Sequence, residues 1–162
     1  MKNFLLVFFL LIININFSFS ASSGSNENSN QKTNYEKAVS LIKAAKKYEK
    51  KGKIEKAEKR YQKAQKLLIK ANKKNPKNVD TLNYLGFTTR KLGNFEQGEK
   101  YYLQGLDINP NHIGINEYLG ELYVVTNRVD LAKQRLEVLK DCNCEEYSEL
   151  EAVINGSKKS KY

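Results

Sequence analysis

Apolar residues recur at helical spacing along most of the chain. One stripe contains Leu41, Ala45 and Tyr48, and the next contains Ala57 and Tyr61. A stripe with this period is typical of a helix that buries one face. Residues that favour strands mostly occur singly, whereas Lys, Glu, Ala, Leu and Gln dominate, so the pattern favours an all-α domain. It predicts seven helices, over residues 35–51, 54–74, 78–92, 95–108, 112–126, 129–140 and 145–155.

The first 20 residues follow a different pattern. Lys2 precedes ten consecutive apolar residues at 4–13, and small residues follow at Ser18, Ser20 and Ala21. This order is typical of a secretory signal peptide, and the apolar run is too short for a spanning helix. We therefore predict a signal peptide over 1–20 and an exported protein, periplasmic or secreted, that does not span the membrane after cleavage. An uncleaved amino-terminal anchor is the alternative.

Polar segments flank the helical part. Residues 21–34 are almost entirely Ser, Asn and other polar residues, which predicts a disordered tether. Residues 156–162 predict a short, frayed basic tail. Ordered structure is therefore expected over 35–155.

A repetition of 34 residues organises that domain. Tyr84-Leu85-Gly86 returns as Tyr118-Leu119-Gly120, and the first copy continues through Leu92-Gly93-Asn94-Phe95 to a closing Asn109-Pro110. In length and in the order of its large, small and aromatic residues, this resembles the tetratricopeptide repeat. The resemblance implies antiparallel helix pairs that stack into a short right-handed solenoid.

The resemblance extends in both directions from this copy. An earlier copy ends at Asn75-Pro76, seven residues later than the 34-residue pattern would place its end. Seven residues are about two helical turns. A later copy departs from the pattern at Asn116 and Cys144, as terminal repeats do. We expect repeats at about 38–76, 79–112 and 113–144, followed by a capping helix at 145–155. The stretch 82–147 is also similar to small exported bacterial proteins of this family, a similarity that implies no particular activity.

Residues that could carry catalysis are scarce. The chain has one histidine, two cysteines and no tryptophan, and it contains no phosphate-binding loop and no metal-spaced histidine pair. His112 follows Asn109-Pro110-Asn111, where we expect it to cap a helix or face solvent. We predict a protein that is not an enzyme and holds neither a cofactor nor a metal.

The segment Cys142-Asn143-Cys144 allows several interpretations. We predict an intramolecular Cys142–Cys144 disulfide that closes a small loop before the capping helix. A bridge across one residue closes a tight ring, which is expected to be easily reduced. A redox-active pair, part of a soft-metal site and pairing with a second chain are the alternatives.

Charge divides the domain into two parts. Residues 32–77 hold 17 Lys/Arg and 4 Asp/Glu, whereas residues 78–157 hold 7 Lys/Arg and 13 Asp/Glu. One interpretation is a solvated helix face, and the other is a basic surface for an anionic envelope partner. Export argues against nucleic acid as that partner. The lysines outside the apolar stripes are Lys43, Lys46, Lys50, Lys53, Lys56, Lys59 and Lys63.

The resemblance also places a binding groove on the first helix of each pair. It assigns to that groove Asp80, Asn83, Tyr84, Phe87, Arg90, Lys91, Glu117, Tyr118 and Glu121. Arg90 and Lys91 are expected to face Glu117 and Glu121. The family's carboxylate-clamp subtype is disfavoured, because it needs Lys and Asn where Ile42 and Lys46 stand. Alternatively, the tyrosines only pack between repeats.

The function predicted from these patterns is binding. We expect an exported, non-catalytic scaffold that holds a protein or peptide partner in the groove. Two alternatives stay open: a structural subunit of a cell-envelope assembly docked through its basic first repeat, and a redox or metal-handling accessory protein that uses Cys142 and Cys144.

Overall fold

The computed structural model describes residues 32–160, and this part of the chain folds into seven α-helices with no strand. Each helix begins and ends within one residue of its predicted bounds. The predicted signal peptide and all but the end of the tether lie outside the described residues. The helices are α1 Asn34–Lys50, α2 Ile54–Lys74, α3 Val79–Lys91, α4 Phe95–Ile108, α5 Ile113–Val125, α6 Val129–Leu139 and α7 Glu145–Ile154.

Local chemistry sets the helix ends. Thr33 and Glu36 form a capping box at the start of α1, and the side chains of Asn78 and Asn94 cap α3 and α4. The turn after α3 uses the left-handed backbone of Gly93 (φ 88°). Asn127 (φ 59°) occupies the corresponding turn of the third pair, since asparagine also tolerates this conformation.

Consecutive helices pack as pairs, α1 with α2, α3 with α4 and α5 with α6, and α7 packs against α5 and α6. Small residues permit the close approaches. A Cβ atom at Gly86 of α3 would overlap the Tyr102 ring of α4, and one at Gly120 of α5 would lie 2.6 Å from Leu150 of α7. The fold is therefore an all-α solenoid of helix pairs with α7 covering the last pair.

The core follows the stack of helices. Tyr61 of α2 and Tyr102 of α4, which are 1 % and 0 % exposed, fill the space between helices in the first and second pairs. Further buried side chains join neighbouring pairs, including Leu85, Ile115 and Leu119. Within residues 32–160, no helix is both long and apolar enough to cross a membrane.

Candidate functional site

A groove runs across the first helices of the three pairs and ends against α7. Its volume is about 540 Å³. Its aromatic lining consists of Tyr118, which is half-buried, and Phe87, which is only 1 % exposed. The other lining residues are charged. They are Lys46, Glu49 and Lys50 of α1, Lys91 of α3, Glu117 of α5, Glu145, Glu146 and Glu149 of α7, and Lys158 after α7.

Aromatic rings in contact form the floor of the groove. The ring centroids of Phe87 and Tyr118 are 5.1 Å apart, and Tyr61 meets Phe87 edge-on at 5.8 Å. Lys46 places its Nζ 4.6 Å from the Phe87 centroid and donates a hydrogen bond of 3.2 Å to the Tyr118 hydroxyl. Packed rings with a cation over them form a stiff apolar surface that loses little entropy on binding.

The side of the groove nearest the first repeat is basic but contains one paired carboxylate. Glu49 lies 2.6 Å from Lys91 Nζ and accepts a hydrogen bond of 2.8 Å from the Tyr61 hydroxyl. Burial raises the pKa of Tyr61, and its hydrogen bond to Glu49 raises it further. Lys91 therefore pairs with α1, and it lines the same groove as Glu117, one of the two glutamates it was expected to face.

A buried ion pair lies beneath the floor. Arg90 Nη2 is 3.4 Å from Glu121 Oε2, and both side chains are 0 % exposed. Arg90 also donates a hydrogen bond to the Tyr118 carbonyl oxygen. Burial lowers the pKa of Arg90 to about 10, so the guanidinium keeps its charge at neutral pH. Arg90 and Glu121 were predicted to contact a ligand; instead they hold α3 and α5 together under the groove.

Helix α7 supplies an acidic wall opposite α1. Leu150 and Val153 bury one face of α7, and the lining glutamates Glu145, Glu146 and Glu149 lie off that face. The sequence analysis assigned no site to these glutamates and missed this wall. The spacing of four between Glu145 and Glu149, set against a buried Leu150, was the available signal.

Comparison with known proteins agrees with this architecture. The family model for the tetratricopeptide repeat matches residues 80–112, which is the second helix pair. Residues 80–112 are therefore similar to one tetratricopeptide repeat. No curated protein sequence matches the chain.

Solved tetratricopeptide domains share its fold. The first such domain of Spaghetti (RPAP3), bound to the HSP90 peptide SRMEEVD, is 20 % identical with a TM-score of 0.54, over 77 % of this chain and 95 % of that one. The first domain of human RPAP3 is 22 % identical with a TM-score of 0.54, over 78 % and 98 %. The second domain of human RPAP3, in complex with the HSP70 peptide SGPTIEEVD, is 17 % identical with a TM-score of 0.52, over 75 % and 98 %.

The structure places only some of the predicted groove residues in the groove. Phe87, Lys91, Glu117 and Tyr118 line the groove. Three others, at the first two turns of α3, are not among its lining residues: Asp80, Asn83 and Tyr84. These three residues were assigned to the groove from their positions within the repeat alone. Those positions do not show where the groove ends.

Those three residues contact the neighbouring elements instead. Tyr84 packs its ring 6.0 Å from Tyr35 of α1, and Asn83 is buried. Asp80 Oδ1 lies 3.1 Å from His112 Nε2, and His112 Nδ1 accepts a hydrogen bond of 3.1 Å from the Ile115 backbone. His112 is thus the cap of α5 in this structure, one of the two roles expected for it.

The seven lysines of the predicted basic surface lie in two different places. Lys46 was predicted to belong to the basic surface outside the apolar stripe. In the structure Lys46 lies over the Phe87 ring in the groove, and Lys50 also lines the groove. The other five side chains are exposed on α1, α2 and the turn between them: Lys43, Lys53, Lys56, Lys59 and Lys63. Docking of these lysines to an anionic surface stays a prediction.

The two cysteines form a disulfide in the structure. Cys142 and Cys144 have Cα atoms 5.2 Å apart, and Cys144 is the residue before α7. Asn143 between them has a left-handed backbone (φ 49°). Among residues 32–160, no three histidine, cysteine or acidic side chains are grouped as a metal would require. The redox state of the pair in the cell stays a prediction.

Proposed function

We propose that this protein, whose fold is similar to that of tetratricopeptide domains, is a non-catalytic binding module that holds an extended peptide or protein segment in its groove. The groove itself carries the proposal: a stiff aromatic floor of Phe87 and Tyr118 between charged walls of opposite sign. Interface anchors are commonly aromatic side chains in well-packed pockets. The half-buried Tyr118 ring, which packs on Phe87, would contact an apolar side chain, and the walls would orient the segment.

Two structural neighbours support a peptide ligand. The Spaghetti domain and the second human RPAP3 domain were solved with the peptides SRMEEVD and SGPTIEEVD, both of which contain acidic residues. In the present groove, Lys46 and Lys50 of α1 would attract acidic residues of a ligand, and Glu145 and Glu146 of α7 would attract basic ones. We infer a segment with an acidic end, an apolar centre and a basic end.

A peptide selection tests this function. Random peptides displayed on phage are selected against the protein, and binding of a synthetic selected peptide is measured by fluorescence anisotropy. Lys50→Glu reverses one exposed charge at the groove, and Lys63→Glu makes the same change on an exposed face of α2. We expect Lys50→Glu to weaken binding about tenfold, or about 1.4 kcal/mol. Lys63→Glu should leave binding unchanged.

The pattern of selected sequences is a second readout. Peptides with an acidic and a basic end around an apolar residue are expected to dominate the selected pool. Equal loss of binding in the two variants, or a selected pool without any charge preference, would contradict the groove as the binding site. Far-UV circular dichroism of both variants checks that the helices are intact.

We also propose that the protein acts after export. The signal-peptide pattern of residues 1–20 supports this, and so does the Cys142–Cys144 disulfide, because disulfides persist in oxidising compartments. Intact mass of the exported protein should give Ala21 as the first residue and no alkylated thiol before reduction. A chain that retains residues 1–20 in the cytoplasm, or two thiols that alkylate without reductant, would contradict export.

A further inference from the structure

The outer face of α2 carries a single row of lysines. They recur at spacings of three and four residues, and all of them are exposed: Lys56, Lys59, Lys63, Lys66, Lys70 and Lys73. Because an α-helix turns about 100° per residue, this spacing keeps the lysines within a sector of about 100°. Ala57, Tyr61 and Leu68 are buried on the opposite side of α2, where α1 and α3 pack. The row therefore faces away from the stack of helices.

Few acidic groups oppose the charge of this row. The acidic residues of α2 are Glu55 and Glu58, near its start, and residues 59–79 contain none. None of the lysines in the row forms an ion pair within residues 32–160. Like charges spaced four residues apart destabilise a helix, so the row lowers the stability of the free protein. An anionic partner laid along the row would relieve this repulsion.

The geometry of the row fits a linear partner. Neighbouring lysines are about 5 Å apart along the helix axis, and the row from Lys56 to Lys73 is about 26 Å long. The charges therefore form a line rather than a compact cluster. An extended polymer with regularly spaced anionic groups can pair with all of them at once and release its counterions.

The row presents charge without apolar or aromatic surface. The exposed apolar residues of α2, Ile54 and Ile69, lie outside the lysine sector, and Tyr61 is 1 % exposed. A helix that lies on a membrane buries an apolar face beside its basic one, and proteins that hold single-stranded nucleic acid stack its bases on aromatic side chains. The row provides neither surface, which favours a hydrophilic polymer recognised by its charge.

We propose that the lysine row of α2 binds an extended polymer of phosphodiester groups through complementary charge alone. This surface is separate from the peptide groove, because no residue of α2 is among the groove-lining residues. The protein can therefore hold a peptide and a polyanion at the same time. Lys66, Lys70 and Lys73 belong to this row, although the sequence analysis did not assign them to a basic surface.

A polymer without bases tests the proposal. The probe is a fluorescein-labelled oligomer of propanediol phosphodiesters, which carries one charge per unit, and its binding to the protein is followed by fluorescence anisotropy. If the whole row pairs with phosphates, raising the salt from about 50 to 200 mM should weaken binding about 300-fold. The variant Lys56→Gln/Lys63→Gln/Lys70→Gln keeps half of the row, so the same change in salt should weaken its binding only about 20-fold.

A matched variant controls for net charge. Lys43→Gln/Lys100→Gln/Lys133→Gln removes the same charge from exposed positions on α1, α4 and α6, and it should keep the salt dependence of the parent. Thermal unfolding gives a second readout. Without the oligomer, the row variant should unfold at a higher temperature than the parent, because repulsion along α2 is reduced. Saturating oligomer should raise the unfolding temperature of the parent more than that of the row variant.

Three results would overturn the proposal. The first is an equal salt dependence in the two lysine variants, since the row would then not be the binding site. The second is cosedimentation with phosphatidylglycerol vesicles that depends on the row, without any binding of the oligomer, since the partner would then be a membrane surface. The third is loss of oligomer binding in Lys50→Glu, which would place the polymer in the groove. Selected peptides should bind the row variant as they bind the parent, so either proposal can fail without the other.

Discussion

Replacing Arg90 with Met should lower the free energy of unfolding by about 3–5 kcal/mol, the usual cost of removing one partner of a buried ion pair. The Glu121 side chain is 0 % exposed, so the variant would leave a buried carboxylate without this cation. Arg90 also holds the Tyr118 carbonyl oxygen, which couples the ion pair to the groove floor. Urea unfolding monitored by circular dichroism measures the change.

The double variant Arg90→Met/Glu121→Met separates charge from packing. Apolar residues of similar volume can replace a buried ion pair at little or no cost, so we expect the double variant to recover most of the lost stability. Arg90→Lys is a second control, because an ammonium keeps the charge but not the planar fork of donors. If the double variant is less stable than Arg90→Met, or Arg90→Met unfolds like the parent, the ion pair does not join α3 to α5 as described.

The ion pair also shows what the sequence could predict about the site. The resemblance predicted that Arg90 of α3 faces Glu121 of α5, because it assigned both residues to the groove side of neighbouring repeats, and the two side chains do meet. The repeat pattern could not show that both side chains are buried. Burial depends on how closely the helices approach each other. That distance is set by packing across the whole stack of helices rather than by any single position of the repeat.

The fold was more predictable than the site because its signals are local. Capping residues such as Thr33 and Asn94 and left-handed glycines such as Gly93 fix the helix ends within a few residues of themselves. The acidic wall is different, since it depends on which face of α7 docks on α5. Gly120 permits that docking by accepting Leu150, a contact between residues 30 positions apart that no local pattern contains.

Replacing Gly86 with Ala should destabilise the second helix pair, although alanine is the better helix former. A Cβ atom there would overlap the Tyr102 ring, which is 0 % exposed and has no room to move aside. Overpacking of a core costs about 1–3 kcal/mol. This exceeds the gain in helix propensity, which is at most about 1 kcal/mol.

The sign of this effect should reverse when the ring is removed. Tyr102→Ala alone should cost about 3–5 kcal/mol, as large-to-small changes of buried aromatic residues do. In that background Gly86→Ala should stabilise the protein, because the methyl group enters the cavity and the helix propensity is gained. The double-mutant cycle, measured by urea unfolding, reports this coupling.

Tyr102→Phe distinguishes the ring from its hydroxyl. Within the described part of the chain, the Tyr102 hydroxyl is buried with no hydrogen-bond partner, and burial raises its pKa. Removing it should leave stability unchanged or raise it, since the cost of burying an unpaired polar group is lost. Gly86→Ala should still destabilise the Tyr102→Phe variant, where the ring remains. A Gly86→Ala change that is stabilising in both ring-containing backgrounds would show that α3 and α4 have room for a side chain at this contact, and the close approach that builds the repeat would then be wrong.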